Sequence, residues 1–267
     1  MSDPMVRLER FEKRYGKLQA VWPLDLQIAQ GESFALLGPN GGGKTSVLRA
    51  LVGLHAPSAG RVLVGGIDVA RTPDRAQERL SFVPQRVSLP GMLTARETLA
   101  LFARLKKAPL ERVGVVLDEF GLADSAERRS GEFSGGMLQR LGLAIGFLRE
   151  VDLLVLDEPT VNLDPPGILK LNQLLHRLKE KGTTIVFSSH LLRNAMELAD
   201  RVGILVAGRM VEPEEVPVFH EAVTRKTTVR VVLSHLTDDM LAAVRAAGGD
   251  VSGHNGREVS FTALPQK

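Results

Sequence analysis

Gly38-Pro39-Asn40-Gly41-Gly42-Gly43-Lys44-Thr45-Ser46 decides the fold, because of what stands on either side of it. Before it runs Ser33-Phe34-Ala35-Leu36-Leu37, a short apolar run of the kind that forms a strand buried on both faces. After it, from Ser46 to Gly53, apolar residues recur at a spacing of three or four, as on one face of a helix. A glycine-rich turn between such a strand and such a helix is a phosphate cradle. Glycines let successive backbone N–H groups point inward at an anion, and the helix adds its positive dipole end. The pattern G-x-x-x-x-G-K-[ST] assigns Gly38 to Gly43 to the cradle. Lys44 then reaches the β- and γ-phosphates, the Thr45 hydroxyl is offered to Mg²⁺, and Ser46 is placed to donate toward the α-phosphate.

Moving outward, Leu153-Leu154-Val155-Leu156-Asp157-Glu158 reads as a second buried strand ending in two acids. A parallel sheet brings such a strand end to the same edge as the phosphate loop. Adjacent carboxylates repel each other and a divalent cation relieves the repulsion. Asp157 is thus the expected metal-side ligand, acting through water, and Glu158 the general base that polarises an attacking water. Thr183 to Ser188 predicts a third core strand; Ala95 to Leu105, Met137 to Phe147 and Ile168 to Lys181 predict helices. Alternation and glycine turns in the first forty residues and in Arg61 to Val69 predict an antiparallel strand layer. The fold class is therefore α/β, with a mainly parallel core sheet.

Periodicity breaks at Glu212-Pro-Glu-Glu-Val-Pro217, which sets a domain boundary: residues 1–211 form the main domain and 212–267 an accessory one. In the latter, Thr228 to Leu233 and Glu258 to Thr262 predict strands and Thr237 to Ala247 a helix, giving a small α+β appendage. The bulk composition narrows the function. Among 267 residues the net charge is only +3, too mild to indicate nucleic-acid binding. The absence of cysteine removes disulfides, thiolate metal sites and cysteine nucleophiles, and suits a reducing compartment such as the cytoplasm. The longest uncharged apolar stretch, Leu141 to Leu148, falls far short of the ~20 residues that span a bilayer.

Between the two strand-end motifs stands Phe133-Ser134-Gly135-Gly136-Met137, and with it the chain resembles the ATP-binding-cassette (ABC) ATPases, whose signature segment reads Leu-Ser-Gly-Gly-Gln. Phe133 and Met137 depart from that pattern; the Ser134-Gly135-Gly136 core is intact. The resemblance covers about residues 5 to 211 and implies the P-loop NTPase fold of this family, with a helical subdomain at about 86–150. It implies that Ser134, Gly135 and Gly136 bind the γ-phosphate of ATP held by a second ATPase subunit, in a homodimer by preference, with a heterodimer the alternative. It further implies that Gln85 touches Mg²⁺ and the attacking water, that Asn162-Leu163-Asp164 crosses the dimer interface, and that His190 contacts the γ-phosphate and orients the water. Tyr15, the single tyrosine, resembles the aromatic residue that stacks on adenine.

ATP hydrolysis, with Mg²⁺ as cofactor, is the activity implied. The implied partner is an integral membrane permease docking beside Gln85 and the segment Arg86 to Val113, which would hold the protein peripherally on the inner face of the cell membrane. Leu93-Thr-Ala-Arg-Glu97-Thr-Leu99 is similar to exporter-type ATPases with separate permease chains, and Phe102-Ala-Arg-Leu105-Lys106 to the ATPase that serves copper-enzyme (nitrous oxide reductase) maturation. The alternatives are a soluble ABC ATPase acting on ribosome or DNA complexes and a nucleotide-dependent scaffold without turnover.

Overall fold

In a computed structural model of the chain, which describes residues 3–211, 227–232, 250–254 and 258–263, the apolar runs form strands in the order the motifs require. Strands β1 (Val6–Tyr15) and β2 (Leu18–Ile28) make a hairpin, and β3 (Ser33–Leu37) leads through the glycine-rich loop into α1 (Lys44–Leu51). A second hairpin, β4 (Ala59–Val64) and β5 (Ile67–Asp68), is followed by the short α2 (Pro73–Gln77) and β6 (Leu80–Val83). Three helices follow: α3 (Ala95–Leu105), α4 (Arg112–Glu119) and α5 (Gly135–Gly146). The chain returns through β7 (Leu153–Leu156), α6 (Pro165–Glu180), β8 (Thr184–Ser189), α7 (Leu192–Leu198), β9 (Arg201–Val206) and β10 (Arg209–Val211). Beyond these lie β11 (Thr227–Val232), β12 (Asp250–His254) and β13 (Glu258–Ala263).

The core sheet has the order β10-β9-β3-β8-β7-β6 and is parallel except for the antiparallel edge pair β10 and β9. Every residue of β3, β7 and β8 is buried, which is why these strands read as continuous apolar runs. A separate antiparallel sheet, β2-β1-β4-β5, forms the second layer. Helix α1 packs on both: its Val47, Leu48, Ala50 and Leu51 join one cluster with Val6, Phe11, Val21 and Val64 of the antiparallel layer and Phe34, Leu36, Val155 and Val186 of the core sheet. Register fixes the site. Leu37 pairs with Ser189, Leu156 with Phe187 and Val83 with Leu156, so the carboxyl ends of β3, β8, β7 and β6 meet along one edge.

Between β6 and β7 the helices α3, α4 and α5 pack on one another. Thr94 starts α3 with a reciprocal capping box: its hydroxyl accepts from the Glu97 N–H and the Glu97 carboxylate accepts from the Thr94 N–H. Leu99, Val113, Val116, Leu117 and Leu141 are buried among α3, α4 and α5, and Phe120 meets Phe147 edge to face with ring centroids 5.1 Å apart. Arg149 fastens this unit to the core sheet, donating to the carbonyls of Glu78 at 2.7 Å and Gln77 at 3.2 Å on one side and of Lys106 at 3.4 Å on the other.

Lys106 at this joint donates to Ser81 Oγ at 2.8 Å, and burial, followed by repulsion from Arg149, pushes its ammonium down to about 8. The unfolded chain keeps this proton up to about 10.5, so burying the charged form destabilises the fold fully below pH 8 and progressively less above it. The parent protein should therefore gain stability between pH 8 and pH 10.5 relative to Lys106→Met, which carries no such group. Urea midpoints at pH 7 and pH 9.5 should show the gap moving in favour of the parent by about 1 kcal/mol or more.

Helix ends are shifted from expectation where caps decide them. Helix α1 starts at Lys44 rather than Ser46, and α5 at Gly135 because Ser134 caps it, its hydroxyl accepting from the Met137 N–H at 3.3 Å. Helix α6 starts at Pro165, a residue whose fixed φ and missing N–H suit a first helical turn, rather than at Ile168. The chain divides into two compact units, Met1–Glu212 and Pro213–Lys267. In the second, β11, β13 and β12 form an antiparallel sheet in that order; β12 was not expected, and the expected helix Thr237 to Ala247 lies outside the described residues.

Candidate active site

The loop that the glycines make is shaped by backbone packed against it. The Gly42 carbonyl accepts from the Gly208 N–H at 3.0 Å, which ties the loop to the turn between β9 and β10. A Cβ on Gly38 would lie 2.1 Å from the Leu205 carbonyl oxygen, and one on Gly43 would lie 2.6 Å from that of Ala20, at φ of +149° and +104°. Neither place admits a side chain, for steric and conformational reasons together.

Lys44, first residue of α1, is 5% exposed. Its Nζ donates to the carbonyls of Gly38 at 2.7 Å and Pro39 at 3.1 Å and stands 3.4 Å from Glu158 Oε1. Glu158, just past β7 and 3% exposed, has left-handed backbone, φ +48°, uncommon outside glycine. Its N–H donates to Ser188 Oγ at 2.9 Å, and the Ser188 hydroxyl donates on to Asp157 Oδ1 at 2.6 Å, so β8 fixes both acids of β7. Glu158 Oε2 lies 2.8 Å from His190 Nδ1. A carboxylate can only accept, so the proton of this bond is assigned to Nδ1. Glu158 Oε1 is buried with no hydrogen bond of its own. A carboxylate held at one oxygen by an imidazole, and with the other open beside a lysine, is arranged to take a proton from a water in the cleft.

That cleft has a volume of about 600 Å³ and runs from Tyr15, past Asn40 to Ser46, to Gln85 and Glu158. Thr45, Gln85 and Asp157 stand at the same sheet edge, but the Asp157 carboxylate is 2% exposed and does not line the cleft, which is compatible with action through an intervening water. Their donors are all hard oxygens. Among the described residues no three His, Cys, Asp or Glu side chains gather to hold a metal, so an ion here would complete its shell from phosphate oxygens and water, as Mg²⁺ does in nucleotide sites.

Tyr15 is 41% exposed at the far end, its hydroxyl 3.4 Å from Ser46 Oγ. Ser134 and Gly135 are exposed, and the segment Ser134–Gly136 is not part of this cleft; it packs instead on the loop after β7, with a Cβ on Gly136 falling 2.9 Å from the Asn162 carbonyl. Arg140 of the same helix pairs with Asp164, which holds the Asp164 carboxyl below its usual range. Gly38 and Pro39 likewise lie outside the lining and serve through their carbonyls. Leu18, Gln19, Ala20 and Ala207 line the cleft without having been expected; they are supplied by β2 and the β9–β10 turn, and no chemical signal marks them in the sequence.

Residues 21–161 match the family described as ABC transporter, a span that holds the phosphate loop, Ser134–Gly136 and the acidic pair. The chain belongs to the ABC transporter family. It is similar to the daunorubicin resistance ATP-binding protein DrrA3 of Streptomyces coeruleorubidus, 38% identical over 79% of this chain and 68% of that protein. It is also similar to the bacitracin transport ATP-binding protein BcrA of Bacillus licheniformis, 37% identical over 81% of this chain and 71% of that protein. Among solved structures, the dimeric ATP-binding cassette MJ0796 in a post-hydrolysis state with ADP and Pi aligns with a TM-score of 0.73 at 26% identity, covering 78% of this chain and 97% of that one. The protein is thus an ABC ATP-binding protein and an ATP hydrolase, with the cassette fold that the sequence predicts. No helix among the described residues is long and apolar enough to cross a membrane.

Proposed function

We propose that this ABC ATPase energises export through a separate integral membrane permease, with two copies of the chain closing on ATP. The observation that carries the reading is a separation: the helix N-terminus at Ser134–Gly136, with Ser134 and Gly135 exposed, lies apart from the cleft formed by Lys44, Thr45 and Glu158 of the same chain. A phosphate-seeking helix end and a phosphate loop that do not share a pocket become one site when a second copy supplies the missing half. In that sandwich the N–H groups of Gly41 to Ser46 and the Lys44 ammonium hold the phosphates, Tyr15 carries the base, and Ser134, Gly135 and Gly136 of the facing copy cap the γ-phosphate.

Glu158 takes the proton from the attacking water, while His190 fixes the orientation of that carboxylate. Thr45, Gln85 and, through water, Asp157 would hold Mg²⁺, which when bound neutralises phosphate charge. Hydrolysis removes the group that joins the halves, and the dimer opens. Residues 1–211 are the ATPase domain on this reading, with the helical subdomain at about 86–150 receiving the permease, and 212–267 an accessory domain.

The names of the relatives attach to daunorubicin, linearmycin, bacitracin and Nod factor, which favours an exported organic compound as cargo. Copper-enzyme maturation is the narrower reading that Phe102 to Lys106 motivates. The permease places the chain on the inner face of the cell membrane. A tagged Glu158→Gln chain, solubilised with ATP and Mg²⁺, should bring down one integral membrane protein in stoichiometric amount, and the identity of that protein tells the cargo readings apart. Recovery of ribosomes or DNA in its place would overturn the transport reading.

A further inference from the structure

We propose that His55 is a positioning residue for the nucleotide base, locking the Tyr15 ring at the end of the cleft; this rests on the reading of Tyr15 as the base platform. Tyr15 ends β1 and is 41% exposed, and an aromatic side chain so placed is ordinarily free to swing about two bonds. Here it is not free. Its hydroxyl lies 2.7 Å from His55 Nδ1, and the imidazole meets the phenol ring edge to face, 5.7 Å between centroids at 74°. Lys13 Nζ stands 5.0 Å from the ring centroid and donates to the Ala56 carbonyl at 2.8 Å, clamping ring and loop together.

The loop that carries His55 is itself anchored to both partners of the site. The His55 N–H donates to the Arg49 carbonyl of α1 at 3.2 Å. The Ser58 N–H donates to the Glu12 carbonyl at 2.8 Å, and the Arg14 N–H to Ser58 Oγ at 2.9 Å. His55 thus refers the ring of β1 to the helix that begins with Lys44, and sets the distance between base platform and phosphate cradle. Burial, then the charges of Lys13 and Arg49, hold the imidazole below its usual value, which favours the neutral ring; with its proton on Nε2, Nδ1 accepts the hydrogen bond that the Tyr15 hydroxyl donates.

A platform fixed before binding spares the nucleotide the entropy of ordering it, and the benefit falls on the base alone. Calorimetric titration of the full chain with a non-hydrolysable ATP analogue and with tripolyphosphate, both with Mg²⁺, separates base from phosphate. His55→Ala should weaken the analogue by about 3- to 10-fold and leave tripolyphosphate unchanged. His55→Asn, which can put a polar atom where Nδ1 stands, should restore most of the loss. Tyr15→Phe should reproduce the His55→Ala loss, and the double variant should lose no more than either. Equal weakening of both ligands by His55→Ala, or of neither, overturns the proposal while leaving Tyr15 in place. If Tyr15→Ala itself leaves the ratio of the two affinities unchanged, the platform reading falls and the role of His55 with it.

Discussion

A Glu158→Gln chain should bind ATP and release phosphate at least ~100-fold more slowly than the parent, the lower end of what a positioned general base contributes. The geometry makes this a narrow substitution. The oxygen of the introduced amide can still accept from His190 Nδ1, at the place where Glu158 Oε2 lies 2.8 Å away, so the imidazole keeps its orientation. The amide nitrogen would replace Oε1, the buried oxygen without a hydrogen bond that stands beside Lys44, and an amide cannot take a proton at pH 7. Lys44 loses its carboxylate partner but keeps its bonds to the Gly38 and Pro39 carbonyls, so affinity for ATP should hold even if the empty fold is less stable. If ATP is held between two copies as proposed, stopping turnover should hold them together, and size-exclusion chromatography with ATP and Mg²⁺ should show more dimer than the parent forms. Parental phosphate release from this variant would remove Glu158 as the base.

The second large effect is expected of Lys44→Ala, and it has two parts. ATP affinity should fall by ~100-fold or more if Lys44 binds the phosphates as proposed, because charge-assisted hydrogen bonds in a partly enclosed site are ones that water replaces poorly. Stability without nucleotide should also fall. Lys44 and Glu158 are both nearly inaccessible to solvent, and removing one partner of a buried pair leaves the other charge uncompensated, a change that typically destabilises by about 3–5 kcal/mol. The hydrogen bond from His190 Nδ1 to Glu158 Oε2 remains, so the lower end applies. Adding Glu158→Gln to Lys44→Ala should restore most of the urea midpoint and none of the ATP binding. A Lys44→Ala chain as stable as its parent would mean that the pair contributes nothing to the empty fold.

The fold was legible where one pattern had one physical reading. Ser33–Leu37 and Leu153–Leu156 are buried on both faces, so their apolar runs had no solvent-facing alternation to confuse them. The paired acids were legible as a unit because two carboxylates at a strand end need a cause. What holds them was not: Ser188 is one more small residue within a buried strand, and only the parallel pairing of β7 with β8 brings its hydroxyl between Asp157 and the Glu158 N–H. The cleft wall at Ala20 was invisible for a related reason. Its contribution is backbone placed against glycine, and backbone leaves no mark in composition. His55 falls between these cases, since a lone histidine after a helix carries no pattern until the ring of Tyr15 is seen against it.

Strand order has a consequence for biosynthesis. The loop that begins at Gly38 rests against Leu205 and Gly208, and β3 lies between β8 and β9, all of them made far later in the chain. A nascent chain still lacking those residues has the fingerprint of the cradle without the walls that shape it. Ribosome-bound chains truncated before Thr184 should therefore fail to capture nucleotide, and capture should set in abruptly once the β9–β10 turn has cleared the exit tunnel.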